Sequence, residues 1–199
     1  INGRQVLVPH YDFKTGMRTT KTTPMQLKPD EILLIDSLHG LYDAMTGSVP
    51  QELKFRLYLE PLLQMKDSRG KYVRWTDIRL IRRMLRDASH RAYDPSQTLE
   101  HWHYVRSSEM RNIIPKINQV DVILNSAMPY EIPLYRHRML DQFETWIKKY
   151  LGDPLRQDAY ERALRVRDLL LDVQPIQDDH LIPEDSVIRE FIGGGIYSY

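Results

Sequence analysis

Two short, uninterrupted apolar runs constrain this chain most: Ile32-Leu33-Leu34-Ile35, closed by Asp36, and Val122-Ile123-Leu124, bounded by Asp121 and Asn125. Each has the length of a buried strand and falls far short of the ~18 apolar residues a membrane-crossing helix requires. Apolar residues without alternation are what a strand covered on both faces shows, and such strands belong to parallel sheets. Residues 53–59 instead alternate, Leu53-Lys54-Phe55-Arg56-Leu57-Tyr58-Leu59, and predict a strand with one wetter face ended by Pro61. Residues 5–9 read as a further strand, followed by a Thr-rich surface loop over 14–23.

Helical periodicity fills the intervals. A short helix is expected over 38–46, stopped by Gly47 and Pro50, and a turn over 67–71. Thr76 is placed to cap a helix over 77–91, with Ile81, Met84, Leu85 and Ala88 as its apolar stripe. Pro95 separates it from a helix over 96–118, whose expected core positions are Leu99, Trp102, Val105, Ile113 and Ile117. Helices over 133–151 and 154–172 follow, then an amphipathic tail from Asp185. Strands alternating with helices predict an α/β layered domain. Ligands in such sheets sit at the C-terminal strand edges, which is where Asp36 falls.

Composition bounds the chemistry. The 199 residues are 42% hydrophobic, and 28 Lys+Arg against 27 Asp+Glu leave a net charge of +1, which argues against a disordered acidic tail or a wholly basic nucleic-acid coat. With no cysteine, disulfides, thiolate catalysis, Cys-ligated zinc and iron–sulfur clusters are excluded. No charged-then-apolar leader opens the sequence, so a cytoplasmic domain without a membrane anchor is expected. The sequence starts at Ile1 and enters a strand almost at once, so a preceding segment is expected as well.

The most informative cluster is basic. Arg79, Arg82, Arg83, Arg86 and Arg91 crowd one element, where like charges at helical spacing repel by a few tenths of a kcal/mol per pair. A polyanion would compensate them, because each guanidinium grips phosphate oxygens in a fork. A salt-bridged helix face, with Asp77 and Asp87 as neutralisers, satisfies the same spacing. Asp36 is the type of hard oxygen ligand that Mg²⁺ takes, and equally the type of residue that caps a turn. His101 and His103 flank Trp102 and point apart on a helix, which disfavours a shared metal. Neither GxxxxGK[ST] nor GxGxxG occurs anywhere in the sequence.

Taken in order, the segments resemble the phosphoribulokinase/uridine kinase family. Val8-Pro9-His10-Tyr11-Asp12-Phe13 with Arg18 is similar to that family's P-x-Y-D-F-x-x-x-x-R segment. Asp36 falls at its Walker-B-like acid. The helix from Asp77 to Asp87 with Arg91 resembles the D-x-R-L-x-R-R-x-x-R-D-x-x-x-R helix and lid. Thr98-Leu99, Trp102, Val105, Glu109, Ile114-Pro115 and residues 120–123 continue the match. Variant details, including Leu38-His39-Gly40-Leu41, Asn125-Ser126-Ala127 and the tail from Ile182 to Gly194, resemble a bacterial uridine kinase-like branch often fused to tRNA-synthetase-like domains.

The resemblance implies a P-loop NTPase-like parallel sheet with flanking helices, whose P-loop portion and general base precede Ile1. It implies a partial kinase core over residues 1–128 and a helical extension over 129–199. The implied activity is transfer of the ATP γ-phosphate to a nucleoside-like hydroxyl in the complete protein, with this chain alone inactive. By resemblance Tyr11 packs on the nucleoside, Arg83 contacts the acceptor, Arg86 and Arg91 neutralise ATP phosphates, and Asp36 helps organise Mg²⁺, directly or through water. A homo-oligomer is expected. Gly16 stands where uridine kinases carry a base-contacting His, and Tyr93 where a second lid Arg is usual. The competing reading is a non-catalytic module whose Arg stripe binds RNA or another polyanion, or a scaffold that completes its site with another chain.

Overall fold

A computed structural model describes residues 3–12, 15–90 and 93–197. The chain divides into two units, residues 1–56 with 109–121 and residues 57–108 with 122–199.

In the first unit, β1 (Val6–Asp12) and β2 (Met17–Met25) form an antiparallel hairpin with Val6 opposite Met25 and Tyr11 opposite Arg18. The expected loop over 14–23 is therefore largely strand. Its threonines are β-branched residues that suit a pleated surface. Gly16 turns the chain at φ 68°, the left-handed region, and its N–H donates to the Asp12 carbonyl at 2.9 Å. The helix expected over 38–46 contracts to one turn, α1 (Asp43–Thr46), followed by a 3-10 turn at Gln51–Leu53. Lys116, on a second 3-10 segment (Ile114–Gln119), bonds the Asp43 carboxylate at 2.8 Å and holds it below its usual carboxylate range.

The segment over 31–36 does not become a strand. It is extended but joins no ladder among the described residues, and Ile32 and Leu34 are 94% and 89% exposed. An apolar run signals a demand for burial, whereas a strand exists only when a neighbour supplies the hydrogen bonds.

The second unit holds the parallel pairing. β3 (Leu57–Glu60) and β4 (Val122–Asn125) run parallel with Leu57 beside Val122 and Glu60 beside Asn125. Alternation in β3 survives as burial of Tyr58 and Glu60 against exposure of Leu57 and Leu59, while all four residues of β4 are exposed. Pro61 has no N–H to extend the ladder. The Asn125 side chain takes over, accepting from Leu62 N–H at 2.8 Å and donating to Leu62 O at 3.2 Å.

Four long helices follow the sequence pattern closely: α2 (Trp75–His90), α3 (Pro95–Asn112), α4 (Glu131–Tyr150) and α5 (Gln157–Leu171). α2 starts ahead of Thr76, which lies in its first turn and not at its cap. α3 ends before 118 because Pro115 cannot continue an α-helix. α4 and α5 pair as a hairpin whose bend uses Gly152 at φ 77° and the Asp153 carboxylate accepting from Leu155 N–H at 2.9 Å. One core joins Ile78, Ile81 and Met84 of α2, Leu99 and Trp102 of α3, Tyr135, Met139 and Phe143 of α4, and Val166 and Leu170 of α5. Ala88, expected in the apolar stripe, is exposed. A last short helix, α6 (Arg189–Ile192), packs on α2 with Phe191 buried. No helix among the described residues is long and apolar enough to cross a membrane.

Candidate functional site

The arginines of α2 find carboxylates within the second unit. Arg79 Nε lies 3.1 Å from Glu60, the acid closing β3, which also accepts from Tyr58 Oη at 2.6 Å. Arg82 is buried and forked onto Glu131 at 2.6 and 3.0 Å, while its Nη atoms reach the Ser126 hydroxyl and carbonyl at 3.1 and 2.7 Å. Glu131 also accepts from Met128 N–H at 2.9 Å and Tyr135 Oη at 3.1 Å, so the loop after β4 and the first turn of α4 close around one charge pair. Burial works against the Arg82 charge, but the Glu131 hydrogen bonds and charge outweigh it and hold the guanidinium above its usual range. Burial, aided by the Glu131 charge, drives the Tyr135 phenol well above its own.

Arg83 and Arg86 share Asp87. Arg83 Nε donates to Asp87 Oδ2 at 3.1 Å, Arg86 Nε lies 3.9 Å from Oδ1, and the carboxylate between them is 2% exposed. Arg86 also extends Nη1 to Glu190 of α6 at 3.5 Å, the outer limit of a hydrogen bond. Each of the two arginine side chains keeps about a third of its surface in solvent. Of the two neutralisers expected, Asp87 serves the stripe, whereas Asp77 is held by Arg165 of α5 at 2.7 and 2.8 Å. Glu60, Glu131 and Glu190 were not visible as partners, because they lie 19 to 104 positions away and only packing brings them in.

Tyr11 and Asp36 belong to the first unit: Tyr11 stands half-exposed near the end of β1, and Asp36 is exposed at the end of the extended apolar segment. Arg91 lies outside the described residues. Among the described residues no three His, Asp or Glu side chains gather where they could ligate a metal. Magnesium is commonly held by one or two carboxylates plus phosphate oxygens and water, a role for which Asp36 has the right donor type.

Comparison with known proteins bears directly on this arginine helix. The model of the phosphoribulokinase/uridine kinase family matches residues 1–132, a span that takes in β1 to β4, α2 and α3. A uridine kinase of Deinococcus deserti is 25% identical over 125 residues, covering 62% of this chain and 52% of that protein. The chain thus spans about half the length of the curated relative it matches. No solved structure matches it. The chain belongs to the phosphoribulokinase/uridine kinase family.

Proposed function

We propose that the complete protein is an ATP-dependent phosphotransferase acting on a nucleoside or related hydroxyl acceptor, with residues 1–128 as part of its kinase core and 129–199 as a helical extension. The observation that carries this reading is the pair Arg83 and Arg86 on one face of α2, part-exposed and tethered to the same buried Asp87. Phosphoryl transfer asks a protein chiefly for positioning and charge neutralisation. A guanidinium held by an acid beneath it is already oriented and still presents donors outward. Arg82 and Glu131 fix the helix that carries both.

In this reading ATP supplies the transferred phosphoryl group and Mg²⁺ screens its phosphates. Arg86 and Arg91 neutralise nucleotide charge, Arg83 orients the acceptor, Tyr11 packs against its ring and Asp36 faces the cation, through water or directly. In the same reading a phosphate cradle of the GxxxxGK[ST] type, a pattern these 199 residues do not contain, is supplied by the complete protein, and this chain by itself is expected not to turn over.

The test is turnover by the complete protein with ATP, Mg²⁺ and a panel of nucleosides. ATP-dependent product formation that falls with Arg86→Ala supports the assignment. Absence of phosphorylated product across the panel, with no ATP consumption, overturns it.

A further inference from the structure

The stripe on α2 is compensated from within, but a second arginine cluster in the same unit surrounds open space. A cavity of about 310 Å³ opens between the start of α2, the middle of α3 and α5. Arg74, Arg106, Arg162 and Arg165 line it, and the one carboxylate in its wall is Asp158. Arg162 is 7% exposed, fastened by Nη1 to the Leu99 carbonyl at 2.8 Å and by Nη2 to Asp158. Arg165 is fixed by its two-point grip on Asp77, and Arg106 sits 5.3 Å over the Trp75 ring. Arg74, immediately before α2, is exposed. Three of the four guanidiniums are thus held by acids, a carbonyl or a ring before any ligand arrives, which lowers the ordering cost of binding.

We propose that this cavity is a binding site for a small phosphate-bearing ligand, separate from the arginines of α2. Arg162 and Arg165 lie beyond residue 132, where the family match ends, so the site joins the matched segment to helices outside it. Guanidinium forks match phosphate geometry two bonds at a time. The volume is at the lower end for ligand pockets, which fits one or two phosphate groups and not a polymer laid along an open surface. A neighbouring hollow of about 230 Å³ shares His103 and Asp158 and adds Tyr104, whose ring centroid lies 3.9 Å from that of His103. The phosphate can therefore come free or carry a flat ring that rests on Tyr104.

Calorimetric titration of the chain with inorganic pyrophosphate tests the site. Arg74→Glu and Arg106→Glu are each expected to weaken binding by at least about tenfold, the worth of one charged hydrogen bond, while Lys148→Glu, an exposed change on α4 outside the cavity wall, leaves it unchanged. Arg74 is exposed, so its variant should keep the wild-type thermal midpoint. No binding of pyrophosphate, binding insensitive to both cavity variants, or an equal loss in Lys148→Glu each overturns the proposal. Repeating the titration with ADP in the Arg86→Ala background separates the two sources. Tighter binding than pyrophosphate that Tyr104→Ala removes identifies a nucleotide, and equal affinities identify free phosphate. These readouts need no turnover, so they fail or succeed independently of the kinase assignment.

Discussion

Arg86 on α2 reaches Glu190 on α6 across 3.5 Å, although 104 positions separate them in the chain. The contact puts an internal carboxylate where the proposed function needs a nucleotide phosphate. Both are anions, so they compete for the same guanidinium. In the complete protein Glu190→Gln should lower KM for ATP about two- to fivefold, the worth of a partly exposed ion pair. Arg86→Ala should weaken ATP binding or turnover by about 1.5–3 kcal/mol. Steady-state kinetics on both variants check this, and a KM that rises in Glu190→Gln would make Glu190 a strut for Arg86 and not its competitor.

Arg82 and Glu131 behave differently because both are buried. Removing one partner strands a buried charge, so Arg82→Met or Glu131→Gln should each destabilise the fold by about 3–5 kcal/mol. The double variant Arg82→Met/Glu131→Leu should recover much of that loss, since neither charge is then left unpaired. Urea denaturation followed by circular dichroism reads all three. A double variant as unstable as the worse single would mean the pair's hydrogen bonds to Ser126 and Tyr135 matter more than its charge balance.

The sequence made the helices legible and the ladders only partly so. Periodicity located α2, α4 and α5 to within a few residues because a helix closes its own hydrogen bonds. β3 and β4 were legible as strands but their pairing was not, and β4, expected to be buried, is exposed along its length. The run 32–35 carries the same signal and yet joins no strand among the described residues, since a ladder needs a neighbour that the run itself cannot specify. β2 was hidden because threonine serves loops and strands alike. In the site, the arginines were found by spacing along one element, as was Asp87, four residues from Arg83. Glu60, Glu131 and Glu190 arrive through tertiary packing, for which the local pattern carries no mark. The same is true of Arg162 and Arg165, which stand on α5 among ordinary helix-surface charges.

Asp67 offers a pH test of a turn that sequence did locate. Its carboxylate accepts from the N–H groups of Lys71 at 2.8 Å and Arg69 at 3.0 Å and from the Arg69 side chain at 2.9 Å. The Lys71 backbone bond, with help from Arg69, holds its pKa below the usual carboxylate value of 3.8. For an acid depressed in the folded state, the stabilisation is present above the unfolded pKa and disappears as pH falls through the folded one. The turn should therefore hold at neutral pH and loosen only below about 3.8. A carbon-detected NMR titration of the Asp67 carboxyl should give a midpoint under that value, and Arg69→Ala should move it partway back.

Gly16 shapes the turn of the hairpin and, by resemblance, stands where uridine kinases carry a histidine. It occupies φ 68°, where a Cβ is strained whatever space surrounds it, and its nearest prospective neighbour is Tyr11 Oη at 3.9 Å. A β-branched residue tolerates this backbone worst, and asparagine or histidine tolerates it better. Gly16→Val should cost about 1–2 kcal/mol of hairpin stability, with Gly16→Asn and Gly16→His costing less. By that resemblance, Gly16→His is also the variant that tests whether this position bears on acceptor preference in the proposed kinase. Amide hydrogen exchange across β1 and β2 measures the first effect, and the ratio of kcat/KM for uridine against other nucleosides in the complete protein measures the second. If Gly16→His leaves that ratio unchanged while exchange rates rise, the position governs the shape of the turn and the acceptor is recognised elsewhere.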